Sequence, residues 1–153
     1  MCKLDNVIKV KIEHEISLID EELNVASPLI ELCKLKNPDS IEIRAMAQIL
    51  HSFYNGIEKT LILIFKAIGE NLPNDSVWHK TLLNIAFGQN LKGFKIFRDD
   101  IIDLLNEYLS LRHFIRHSYS YQLKWERMNN LVNNLEDTWV IIKSDFEKFI
   151  EVN

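Results

Sequence analysis

The chain has 153 residues, 47% hydrophobic and 26% charged, which is enough for one domain with a real core. A formal charge of −4 argues against a generic nucleic-acid binder, and two cysteines, Cys2 and Cys33, are too few for a disulfide framework or a zinc site, so a reducing interior is expected. The longest apolar run, Leu61 to Phe65, stops at Lys66, far short of the ~20 residues of a membrane span. The N-terminus, Met1-Cys2-Lys3-Leu4-Asp5, lacks the basic-then-apolar pattern of a secretion signal, and the expected location is the cytoplasm.

Glycine and proline are scarce and β-branched alternation is nearly absent, so an all-α fold is expected. The first helix begins near Asp5 or Asn6 and carries Val7, Ile8, Ile12, Ile16, Ile19 and Leu23. Pro28 either kinks it or opens a second piece after Ser27, and the run continues to Lys36 before the turn Asn37-Pro38-Asp39. A second helix over about 40–69 is strongly apolar and reads as the central one. After the break at 71–75 a short third helix from about Ser76 holds Trp78, Leu82, Leu83 and Phe87. Residues 88–93 form a joint.

From Phe94 the apolar residues Phe97, Ile101, Leu104, Tyr108, Leu111 and Ile115 follow at steps of three and four, the spacing of one helical face, which predicts a long fourth helix. A fifth runs from about Leu123 through Met128, Leu131, Leu135, Val140, Ile142, Phe146 and Ile150. The expected architecture is an up-and-down bundle of about five helices in a single domain, residues 1–153.

The end of the fourth helix is the most informative stretch. Arg112-His113-Phe114-Ile115-Arg116-His117, followed by Ser118 and Tyr119, places a fixed cation, a group that exchanges a proton near neutral pH, and a phenol close together. That is the chemistry needed to cut RNA without a metal. Between Tyr108 and Arg127 four cations (Arg112, Arg116, Lys124, Arg127) face one acid, Glu126, so a small basic patch sits on an acidic body. On a regular helix Arg112 and His117 diverge by roughly 140°. They meet at one phosphate only through the arginine's reach, a loosened helix end or a second copy of the chain.

The element Arg112-x4-His117-x-Tyr119 resembles the signature of HEPN ribonucleases, specifically the HepT-type toxins that pair with a small nucleotidyltransferase antitoxin (the MNT type). His113 fits as the polar residue after the arginine, and Phe53-Tyr54-Asn55-Gly56-Ile57-Glu58 in the second helix is similar to the same family. The resemblance implies a metal-independent endoribonuclease working as a homodimer, with both motifs facing one cleft. In that reading His117 accepts the proton of a ribose 2′-OH, Arg112 holds the phosphate, His113 positions Arg112 or the substrate, and Arg116 adds phosphate affinity. The substrate would be RNA, transfer RNA or messenger RNA. The resemblance also implies silencing by AMP transferred to Tyr119, with Tyr121 as a rival acceptor.

Each residue also has a plainer role open to it. A lone arginine near a helix C-terminus commonly serves the last carbonyls, a lone His117 would be a solvated or hydrogen-bonded histidine, and Tyr119 and Tyr121 would by default be half-buried aromatics. His113 and His117 have metal-ligand spacing, but Phe114 stands where a zinc protease needs glutamate and no third ligand is evident, so neither metal nor cofactor is expected. Trp78-His79-Lys80 could touch RNA, although Trp78 reads better as a core anchor. Glu58 is either a buried partner for a motif cation or solvent-facing. Asp99, Asp100 and Asp103 suit a helix N-terminus and carry no assigned chemistry. The other functional class is a HEPN module that binds a nucleotide or its nucleotidyltransferase partner without cutting.

Overall fold

A computed structural model describes residues 3–153; Cys2 lies outside the described residues. The described chain is helical without strands: α1 (Asn6–Leu35), α2 (Ser40–Ala67), α3 (Trp78–Ala86), α4 (Ile102–His117), α5 (Trp125–Asn133) and α6 (Leu135–Val152). No helix among the described residues is long and apolar enough to cross a membrane.

Helix α1 starts where Asp5 accepts a hydrogen bond from Ile8 N at 2.8 Å. Its buried residues, Ile12, Ile16, Ile19, Leu23, Ala26, Ile30 and Cys33, alternate steps of four and three and form one stripe. Pro28 neither kinks nor divides the helix; it sits on the solvent face, where water can take the carbonyl that proline leaves unbonded. Helix α2 opens with a capping box between Asp39 and Glu42. It closes with Gly69 at φ +73° and Glu70 N donating to Phe65 O, two residues before the predicted end. α2 is the central helix, packed against α1, α3, α4 and α5. At Gly56 it approaches α1 so closely that a Cβ would lie 2.6 Å from Ile19 Cγ1.

Two predicted helices differ from the observed ones. Residues Phe94–Arg98 are not helical, although Phe94, Ile96 and Phe97 are buried, and α4 begins only at Ile102, after a 3₁₀ turn over Asp99–Ile101. Their polar groups are satisfied from outside the segment. Ile96 N and Phe97 N donate to Ala86 O, Asn90 brackets Phe94, and Arg98 N donates to Asp145 on α6 at 3.0 Å. The predicted fifth helix is two, α5 and α6, parted at Asn134, whose side chain donates back to Asn130 O at 2.8 Å. Val140, expected on the apolar face, is 66% exposed.

The apolar face of α4 packs inside the chain through Leu105, Tyr108 and Leu111. Tyr108 Oη donates to Leu131 O on α5 at 2.9 Å, which ties α4 to α5, and α4 also packs against α2.

Candidate active site

Along α2 three polar residues recur at steps of four and three, His51, Asn55 and Glu58, and the first and last of them feel the charge of Arg112 on α4. Glu58 is only 4% exposed. It is the buried partner that one of the two sequence readings anticipated. Its Oε2 accepts a hydrogen bond from His79 Nδ1 at 2.7 Å, and its Oε1 lies 3.4 Å from Arg112 Nε. Burial pushes the Glu58 carboxyl up, while the hydrogen bond and charge of His79 and the charge of Arg112 pull it down. The neighbouring Tyr54 phenol is pushed well above its usual range, by burial first and by Glu58 second.

Arg112 projects from α4 into this pair. Its side chain is 12% exposed, and its buried Nε has no hydrogen-bond partner, so the guanidinium is held by charge rather than by a paired fork. One turn further, His117 Nδ1 lies 2.8 Å from the carbonyl oxygen of His113. A carbonyl only accepts, so Nδ1 carries the proton and donates, and Nε2 is left free with its lone pair in the neutral ring. The ring therefore does what a histidine at a helix C-terminus commonly does, and still keeps one nitrogen for chemistry. His113 stacks on it with ring centroids 4.2 Å apart.

Arg112, His113 and His117 line one open cavity of about 570 Å³ with His79 and Lys80 of α3 and Arg127 of α5. Arg127 is set over the Phe114 ring, 4.4 Å from its centroid. No acidic side chain lines this cavity, so its walls favour an anion. Arg116 does not line it; it is exposed, and its charge and that of Arg112 act on His51 of α2. Among the described residues no three His, Cys, Asp or Glu side chains converge as a metal site.

Tyr119 and Tyr121 are 75% and 70% exposed, not half-buried, with stacked rings 6.2 Å apart. The 3₁₀ turn that holds them, Ser120–Gln122, is pinned by Gln122 Oε1 accepting from Tyr119 N at 2.9 Å and by Arg44 Nε donating to Ser120 Oγ at 3.2 Å. A small crevice lined by Phe114, Ser118 and Tyr119 adjoins the main cavity, the two sharing Phe114 and Ser118.

Residues 45–153, from within α2 to the end of the chain, match the family described as HepT-like protein. The chain belongs to that family. It is a HepT-type member of the HEPN superfamily, and the match takes in the whole of the site: Glu58, His79 and the Arg112–Tyr119 element. No curated protein and no solved structure matches the chain. Sequence reasoning gave no role to His51 or Asn55, whose signal was the i, i+4, i+7 polar stripe with Glu58 on an apolar helix. It weighed His79 only within Trp78-His79-Lys80, as a stretch that could touch RNA by stacking and charge, because nothing local in sequence links that residue to Glu58.

Proposed function

We propose that this HepT-like chain is a metal-independent endoribonuclease toxin of a HEPN/MNT toxin–antitoxin pair, acting on RNA in the cytoplasm. The observation that carries this reading is the acid-free cavity lined both by Arg112 and by a His117 whose Nδ1–H is fixed to a carbonyl and whose Nε2 is free. His117 Nε2 takes the proton of a ribose 2′-OH, the 2′-oxygen attacks the adjacent phosphorus, and the bond to the 5′-oxygen breaks. The products are a 2′,3′-cyclic phosphate and a 5′-OH end. Arg112 stabilises the charge that grows on the phosphate oxygens, and Lys80 and Arg127 supply further positive charge along the cavity. His113 supports His117 by stacking. Arg116, outside the cavity, is placed for the strand that leaves it.

In the same reading two chains pair so that their cavities face one RNA. The nucleotidyltransferase antitoxin silences the pair by transferring AMP to the Tyr119 hydroxyl. Exposure of Tyr119 and its position beside the cavity support it as the acceptor, since a phosphate attached there competes for the cations that RNA needs.

The test is cleavage of RNA by the purified protein. His117→Ala is expected to lower the rate by ~10²–10⁴-fold without unfolding the chain, because the side chain is exposed, and RNA with 2′-deoxy sugars should resist. If neither wild type nor variant cuts any RNA, the chain is left with the non-cutting, partner-binding role open to a HEPN module.

A further inference from the structure

In-line displacement at phosphorus needs two proton transfers on opposite sides of the phosphate. One group takes the 2′-OH proton, and another gives a proton to the departing 5′-oxygen, which is otherwise a poor leaving group. His117 Nε2 serves one side only. His113 is stacked on His117 on the same helix, but the cavity holds a third imidazole on a different wall: His79, on α3. Its Nδ1 donates to the buried Glu58 at 2.7 Å, its ring lies against Trp78 with centroids 3.5 Å apart, and its side chain is 22% exposed. Two fixed contacts set the ring's orientation, and the bond to Glu58 sets its tautomer, so Nε2 is the nitrogen left for the cavity.

Resting on the ribonuclease reading above, we infer that His79 is the general acid of this chain's own cavity, with Glu58 as the residue that positions it and Arg112 together. In its protonated form His79 gives the Nε2 proton to the 5′-oxygen as the P–O5′ bond breaks, while His117 Nε2 holds the proton taken from the 2′-OH. The step ends with His79 neutral, His117 protonated, a 2′,3′-cyclic phosphate and a 5′-OH. Exchange with water returns both rings to their starting states. Glu58 thus serves both walls of the site, one oxygen to each.

The experiment compares ordinary RNA with RNA whose scissile 5′-oxygen is replaced by sulfur, because a thiolate departs without a proton. His79→Ala and His79→Gln are expected to slow cleavage of ordinary RNA by ~10²–10⁴-fold, yet stay within about tenfold of wild type on the sulfur substrate. His117→Ala should be slow on both. Glutamine keeps a donor toward Glu58, so it carries the test if alanine disturbs the fold. Equal losses on the two substrates would make His79 a purely structural partner of Glu58. No loss on ordinary RNA would assign the acid to another group, such as an imidazole of a second copy. Both results overturn the inference. Wild type cutting neither substrate would instead remove the ribonuclease reading beneath it.

Discussion

Two arginine–carboxylate pairs in this chain are built in opposite ways. Arg98 saturates the buried Asp145: its backbone N donates at 3.0 Å, its Nε at 3.1 and 3.2 Å to the two oxygens, and its Nη2 at 2.7 Å. Arg112 meets Glu58 through a single 3.4 Å approach that leaves Nε without a hydrogen bond, while the other carboxylate oxygen is taken by His79. The first pair is closely hydrogen-bonded and closes a structural joint, fastening the extended segment before α4 to α6. The second keeps a guanidinium in a cavity with its directional capacity unused. A buried N–H without a partner is costly, so it persists where something else is gained. On the proposed reading the gain is a cation ready for a phosphate.

Substituting the two pairs should separate these roles. Arg112→Lys keeps the charge but loses the planar fork that matches phosphate oxygens. The expected fall in kcat/KM for RNA is ~10²–10³-fold, the cost of removing one well-placed transition-state donor, about 3–4 kcal/mol. A lysine variant with wild-type kinetics would mean that Arg112 acts only as a distant charge. Asp145→Ala should do the reverse. It strips partners from the Arg98 backbone and side chain, and the urea midpoint should drop while cleavage per folded molecule stays unchanged. Loss of activity without loss of stability in that variant would erase the contrast between the pairs.

Much of the frame was legible because a single stripe at steps of three and four survives intact in α1 and α2. The spacing misled where tertiary contacts replace helical ones. Phe94 and Phe97 sit at helical distance from Ile101, yet their backbone is bonded to Ala86 and Asn90, partners that no local pattern reveals. Likewise Asn134 breaks the last helix by a side-chain bond to Asn130, where the apolar pattern runs on uninterrupted. The site divides in the same manner. Arg112, His113 and His117 lie within one local element, so the sequence alone puts them together. Glu58 and His79 come from α2 and α3 and join only through the fold, and the visible hint was a polar stripe on a helix otherwise committed to the core.

That stripe permits a finer test of how far the Arg112 charge reaches. His51, half-buried two turns before Glu58, is held below the ordinary histidine range by burial first, then by the charges of Arg112 and Arg116. Its Nδ1 lies 3.5 Å from Asn55 Nδ2, an arrangement that suits the neutral ring. With the folded value depressed, the unfolded chain binds the proton more readily once pH drops below about 6.5. Stability should therefore be full above that value, erode as pH falls from there toward the folded value, and reach its full loss below it. His51→Gln removes this component and cannot titrate. Urea unfolding at pH 7.5 and 5.5 should show wild type losing more stability between the two than the variant, with the remaining histidines common to both. This is the smallest of the expected effects, and Arg112→Ala with His51 retained should shrink it further, since one of the two nearby cations is then gone. Equal pH slopes in wild type and His51→Gln would show that His51 is not held below the ordinary range at all, and an Arg112→Ala chain with the wild-type slope would show that the Arg112 charge does not reach along α2.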